Sequence, residues 1–129
     1  MAQGGKLNYK IWFDEEQGVL IVKTLAMLEK ADVDEIIPKV AEYLDGKEHR
    51  YILGDLSENP TGLLSKGART AFKENADNLK VEKIAIIGAN PSIRMIAKIA
   101  LTIMGKSDIA KFFKTREEAI SWLKGEGKK

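Results

Sequence analysis

Chemistry has few places to start in this chain. Asp55 closes the run Tyr51-Ile52-Leu53-Gly54 and is followed by Leu56-Ser57-Glu58-Asn59-Pro60-Thr61-Gly62, a stretch dense in turn-forming residues. A carboxylate at the carboxyl end of a parallel strand stands where open α/β sheets bind their ligands. The competing reading is that Asp55 accepts hydrogen bonds from the amides of its own turn. A second segment, Gly88-Ala89-Asn90-Pro91-Ser92-Ile93-Arg94, follows an apolar run and opens a helix, so its free amides, the positive end of the helix dipole and Arg94 suit an anion. It holds one Gly rather than a glycine-rich series and lacks a P-loop Lys, and ordinary capping accounts for Asn90 and Ser92 equally well. The single His, His49, lies in the charged connection Gly46-Lys47-Glu48-His49-Arg50, and the chain has no Cys. With no nucleophile or metal co-ligand in view it reads as a solvated loop residue, and no catalytic residue, metal or cofactor is expected.

The main compositional excess is apolar. At 100° per residue, Ile93, Met95, Ile96, Ala97, Ile99, Ala100, Leu101, Ile103 and Met104 cover about 240° of one helix, leaving Arg94, Lys98, Thr102 and Gly105 on the remainder. A helix laid on one sheet face needs less. The surplus, centred on Met95, Ile99 and Leu101, suits a partner helix, a second copy of the chain or an apolar ligand such as a lipid chain, unless two neighbouring helices bury it.

These residues sit in a chain of 129 residues, with 21 Lys plus Arg against 19 Asp plus Glu, 44% apolar and 31% charged. That is the profile of one small globular domain with enough apolar surface for a core without disulfides or metal. A formal charge of +2, with basic and acidic residues interleaved everywhere except Lys128-Lys129, gives phosphates no basic stripe to follow, so a nucleic-acid partner is not expected. Met1 to Lys6 lacks the apolar core of a signal peptide, and no segment reaches the roughly 18 apolar residues a membrane span needs. A cytoplasmic protein without stable membrane insertion is expected.

The pattern of the chain supplies the elements. Tyr9, Ile11 and Phe13 alternate with Lys10 and Trp12, predicting a strand over 9–13; Val19 to Leu25 is its antiparallel partner across the turn Asp14 to Gly18. Val33, Ile36, Ile37, Val40, Ala41 and Leu44 form a helical stripe ended by Gly46. Pro38 favours a start capped by Asp34 over one capped by Asp32, since the missing N–H then falls in the first turn. Tyr51 to Leu56 is the third strand. A second helix carries Leu64, Ala68, Ala71, Phe72 and Leu79, with Ser65 or Thr61 as cap, and Ile84 to Ile87 is a central strand. Asn90 caps and Pro91 opens a third helix to Gly105; Ile109 to Phe113 is the fifth strand; Thr115 and Glu118 form a capping box for a last helix. Phe113 and Trp122 are expected in the core. The order β-β-α-β-α-β-α-β-α predicts an α/β domain with a mixed, mostly parallel sheet of four to five strands and four helices, joined by right-handed crossovers.

This order, with Tyr51-Ile52-Leu53-Gly54-Asp55-Leu56-Ser57, Val81 to Gly88, Ser92-Ile93-Arg94-Met95, and a closing Phe112-Phe113 strand before a Glu-rich, Trp-containing helix, resembles the SpoIIAA-like branch of STAS domains, relatives of anti-sigma-factor antagonists. The resemblance runs from about Tyr9 to Lys124. It implies helices largely on one side of the sheet and a non-catalytic interaction module. In the signalling members a Ser in an Asp-Ser-Ser-Gly-like turn is phosphorylated by a partner kinase, and a charge of about −2 placed in the interface breaks the complex. Here the matching turn is Asn59-Pro60-Thr61-Gly62, which places Thr61 at the acceptor position, Asn59 at that of the Asp and Pro60 at that of the first Ser. Ser57 and Ser65 are rival hydroxyls, and cap or turn roles compete for all three. The branch also resembles Sec14 lipid-carrying domains in fold.

The expectation is therefore one STAS-type domain over 1–129, with an ordered core of about 8–124 and short flexible ends. It binds a protein partner, a kinase or a regulatory protein, through Asp55, Ser57, Asn59, Thr61, Gly62, Ser65 and the flank of the third helix. The alternative is a binder or carrier of an apolar small molecule or lipid, and a homodimer through the third helix would also hide the stripe.

Overall fold

The computed structural model describes residues 8–58 and 64–125. The elements are β1 (Tyr9–Asp14), β2 (Val19–Thr24), α1 (Lys30–Leu44), β3 (Tyr51–Asp55), α2 (Lys66–Leu79), β4 (Lys83–Ile87), α3 (Pro91–Met104), a 3-10 turn (Ser107–Ile109), β5 (Ala110–Phe113) and α4 (Arg116–Leu123). The sheet runs in sequence order, β1-β2-β3-β4-β5, with β1 antiparallel to β2 and every other neighbouring pair parallel. The expected α/β order and mixed sheet are both present.

Alternation along the strands divides the sheet into two faces. Leu20, Val22, Ile52, Ile84 and Ile86 point to the side carrying α1, α2 and α3, where Ile36, Val40, Leu79, Ile93, Ala97 and Leu101 pack against them. Val19, Ile21, Leu53 and Ala85 point to the other side, covered by Ala119 and Leu123 of the short α4. Phe113 and Trp122 belong to this second cluster but are half-buried, ring centroids 5.5 Å apart, rather than enclosed.

Local chemistry sets the helix ends. Ser65 Oγ accepts from Ala68 N at 3.1 Å, Asn90 Oδ1 from Ile93 N at 2.9 Å, and Thr115 Oγ1 from Glu118 N at 3.1 Å, each a side-chain N-cap. The start of α1 differs from the expected Asp34 cap. The helix begins at Lys30 with Glu29 as N-cap, which leaves Pro38 inside it. Asp32 is the reason: its Oδ2 accepts from Glu29 N at 2.8 Å and from Asn8 Nδ2 at 2.8 Å, so the carboxylate holds the first turn from the N3 position and ties it to the residue that precedes β1. The fifth strand starts at Ala110 rather than Ile109, because Ile109 N is turned to Lys106 O at 3.2 Å in the 3-10 turn.

Arg50 closes the C-terminal ends of two helices. Its Nε and one terminal nitrogen donate to Leu79 O at 2.9 and 2.8 Å, and the other donates to Leu44 O at 3.0 Å. One planar guanidinium thus satisfies terminal carbonyls of both α1 and α2 and sets the spacing of their C-termini.

Candidate functional site

The parallel register of β3 and β4 pairs Asp55 with Ile87, so the turn after β3 and the loop after β4 emerge side by side. Asp55 Oδ1 accepts from Ser57 N at 2.9 Å and from Ser57 Oγ at 2.6 Å, an Asx turn that occupies one carboxylate oxygen and leaves the Ser57 side chain exposed. Leu56 N donates to Ile87 O at 2.9 Å, stitching the turn to the neighbouring loop. Lys23, beside Asp55 in the register, forms an ion pair with Glu58 at 2.7 Å; that hydrogen bond is the main cause of the raised pKa of the Lys23 ammonium. Gly88 has φ +81°, and a Cβ on it would lie 2.5 Å from Ser57 N. The two segments that the sequence offered separately are therefore one surface.

The remaining sequence-selected residues divide around it. Asn59, Thr61 and Gly62 lie outside the described residues. Ser65 Oγ is engaged as the α2 cap, and Leu64 beside it makes an isolated parallel bridge with Leu28. At the start of α3, Asn90 supplies the cap, Ser92 is exposed, and the Arg94 guanidinium lies 5.5 Å from the centroid of the Phe112 ring. His49 stacks on Tyr51 with centroids 4.9 Å apart and faces Glu82 Oε1 at 3.4 Å. It stands at the opposite end of β3 from Asp55, a strand about 16 Å long, so the two do not share a cleft. Among the described residues no group of three His, Cys, Asp or Glu side chains is placed to hold a metal ion. Nor is any helix there long and apolar enough to cross a membrane.

The apolar stripe of α3 is exposed, with one correction. Met95 is 65% and Ile99 56% exposed, and Ile96 and Ile103 extend the patch, whereas Leu101 is only 6% exposed and belongs to the core with Leu56 and Ile86. The helical wheel gives the reason: Leu101 lies about 40° from buried Ala97 and about 160° from Ile99. Ile96, Ile99 and Ile103 line a groove of about 260 Å³ against Leu64 and Arg69.

Beneath the helices lies a feature that sequence reading missed. An apolar cavity of about 200 Å³ separates β2, β3 and β4 from α1, α2 and α3, with Val22, Ile52, Gly54, Ile84, Ala97 and Ala100 in its wall. The small residues Gly54, Ala97 and Ala100 were the available signal, but small side chains alone do not distinguish close packing from a void.

Solved structures share this architecture. A SpoIIAA-like-fold protein of the DUF3478 family from Shewanella loihica PV-4 superposes with a TM-score of 0.70 at 21% identity, over 95% of this chain and 99% of that one. The anti-sigma factor antagonist SpoIIAA in its unphosphorylated form gives 0.62 at 12% identity, over 93% and 99% of the two chains. An anti-sigma-factor antagonist (STAS) domain protein from Planctomyces limnophilus gives 0.61 at 14%, over 90% and 97%. The fold is that of the STAS class of small mixed-sheet domains. The sequence is more specific: the SpoIIAA-like family model matches residues 19–124, and the chain belongs to that family. No curated protein matches it.

Proposed function

We propose that this protein is a non-catalytic regulatory module of the STAS type that docks a protein partner on the ridge formed by α3 and the Asp55–Ser57 turn. The observation that carries the reading is the exposed stripe of Met95, Ile96, Ile99 and Ile103, a row of large apolar side chains on a helix whose first turn sits beside a hydroxyl-bearing turn. The anti-sigma-factor antagonists that share the fold support the same direction. Phosphorylation of an exposed hydroxyl at this turn is the means of control. A charge of about −2 on Ser57, already within hydrogen-bond distance of Asp55 and next to Glu58, breaks the Asx turn by repulsion and disfavours burial in an interface. Thr61 is the rival acceptor by resemblance to the signalling members.

A second reading rests on the cavity: its apolar wall suits an apolar small molecule or acyl chain held between the sheet and the helices. One preparation tests both. Immobilised wild-type protein, Ile99→Glu and Ser57→Glu are compared for capture of a partner from native lysate, and native mass spectra of the eluted protein are recorded. The docking reading expects both variants to lose the partner at unchanged thermal stability; equal capture by all three removes the ridge from the site. A discrete apolar adduct supports the second reading and a clean apo mass counts against it. A concentration-dependent doubling of the wild-type mass, abolished by Ile99→Glu, assigns the stripe to a second copy instead.

A further inference from the structure

The sheet ends at β5, and no strand among the described residues pairs with its outer side. β4 pairs with Ala110–Phe113 on one side, from Ile84↔Ala110 to Ile87↔Phe113. On the other side no hydrogen bond from a described residue reaches these four residues, so half of their N–H and C=O groups point outward without a partner among the described residues. Grooves flank the strand on both sides: one of about 910 Å³ walled by Phe113, Lys114 and Trp122, and one of about 450 Å³ walled by Lys98, Ala110 and Phe112, with Arg94 in both.

The charge of this edge is one-sided. Arg94 and Lys98 lie 5.5 and 5.9 Å from the centroid of the Phe112 ring, and Lys111 lies 5.8 Å from that of Trp122. Among the described residues, Arg94, Lys98, Lys111 and Lys114 have no ion-pair partner. The carboxylates in the larger groove are Glu117 and Glu118, on the first turn of α4, where the helix dipole already favours them. Four cations without an ion pair among the described residues therefore face two carboxylates around the outer edge of β5, with aromatic rings on either side.

We propose that β5 is a docking edge for an extended acidic peptide, which adds to the sheet as a sixth strand. Its main chain pairs with the outer groups of Ala110–Phe113. Its side chains alternate between the α3 side, where Arg94 and Lys98 wait over Phe112, and the α4 side, where Lys111, Lys114 and Trp122 do. A second copy is the poorer occupant, because edge-to-edge pairing of two β5 strands opposes the same four cations. The Lys side chains also guard a free edge against aggregation, and the peptide is what such a guard admits: a strand of opposite charge. On the helical wheel Ile96, Ile99 and Ile103 of the α3 stripe lie about 100° or more from Arg94 and Lys98, so the two surfaces have different centres.

A fluorescein-labelled peptide alternating Glu with Val tests the inference, read by anisotropy at low salt and by amide shifts of the isotope-labelled protein. The control is the same peptide N-methylated on alternate residues, which keeps the charge but cannot pair as a strand. The expected result is shifts concentrated on Ala110–Phe113 and a loss of about ten-fold on N-methylation, equivalent to roughly two main-chain hydrogen bonds. Lys111→Glu, an exposed position whose fold is checked by circular dichroism, weakens binding further. Equal binding of the N-methylated peptide reduces the edge to charge attraction and overturns the proposal, as do shifts centred on Met95 and Ile99 or no binding at all.

Discussion

Gly88 is the point at which the two loops of the candidate site press together. Its φ is +81°, and a Cβ there would lie 2.5 Å from Ser57 N and 2.7 Å from Ser57 Cα. Those are backbone atoms, so no rotamer change relieves the contact. Gly46 is the natural control: φ is +76° but nothing lies within 4 Å of the position a Cβ would take. Gly46→Ala is expected to cost about 1–2 kcal/mol, the left-handed strain alone. Gly88→Ala adds a backbone displacement and should cost on the order of 3 kcal/mol, with the Ser57 amide moving as its bonds to Asp55 break. Urea titration and amide shifts check this; equal costs for the two variants would mean that Gly88 does not hold the turn. The sequence offered Asp55 and Gly88 as residues of interest but not as neighbours, because their contact depends on the register of two parallel strands about thirty residues apart, which no local pattern encodes. Arg50 was illegible for the same reason. In sequence it is one charge in a polar connection, and only the tertiary fold presents it with Leu44 and Leu79 carbonyls.

The elements themselves were largely readable, since strand alternation, the helical stripes and the caps Ser65, Asn90 and Thr115 are local signals. The departure at α1 shows where local reasoning stops. A Pro nine residues into a helix looks forbidden, yet Asp32 is bonded to Asn8 and Glu29, and Leu28 O accepts from Ser65 N at 2.9 Å, so nonlocal contacts fix the earlier start. Pro38 is exposed, which leaves water to satisfy the Asp34 carbonyl it deprives of a donor. Restoring that donor with Pro38→Ala removes a penalty of about 3 kcal/mol for interior Pro, against a loss of up to about 1 kcal/mol of unfolded-chain stiffness. A net gain of about 1–2 kcal/mol is expected, read as a higher urea midpoint at unchanged slope. A lower midpoint would show that the stiffness of Pro38 contributes more to stability than the donor it removes costs. The width of the α3 stripe was likewise readable and its orientation was not: Leu101 and Ile99 are equally apolar in sequence, and only the neighbours decide which is core.

At the scale of the whole molecule, the cavity under the helices sets stability against occupancy. Net stability of a domain is about 5–15 kcal/mol, and an empty space costs about 24 cal/mol per Å³, so leaving about 200 Å³ vacant forgoes on the order of 5 kcal/mol. A cost of that size favours either a guest or a filling side chain. Gly54 is the position at which to choose between them. It lies on β3 in the cavity wall, and a Cβ there would find Ile86 Cγ1 at 3.8 Å and Ala85 O at 3.9 Å, ordinary contact distances. Gly54→Val places three carbons in the void at about 0.8 kcal/mol each and replaces a flexible strand residue with a β-branched one. Ligand-free protein, stripped by denaturation and refolding, should gain about 2 kcal/mol, roughly 8 °C in Tm. If an apolar guest occupies the cavity, protein purified without stripping should gain less, because valine displaces the guest and forfeits its binding energy, and any adduct in the native mass spectrum should disappear. Calorimetry of stripped and unstripped samples separates the cases: equal gains in both show that the void is dry, and a fall in Tm for the stripped variant shows that the helices close onto the sheet and leave no room to fill.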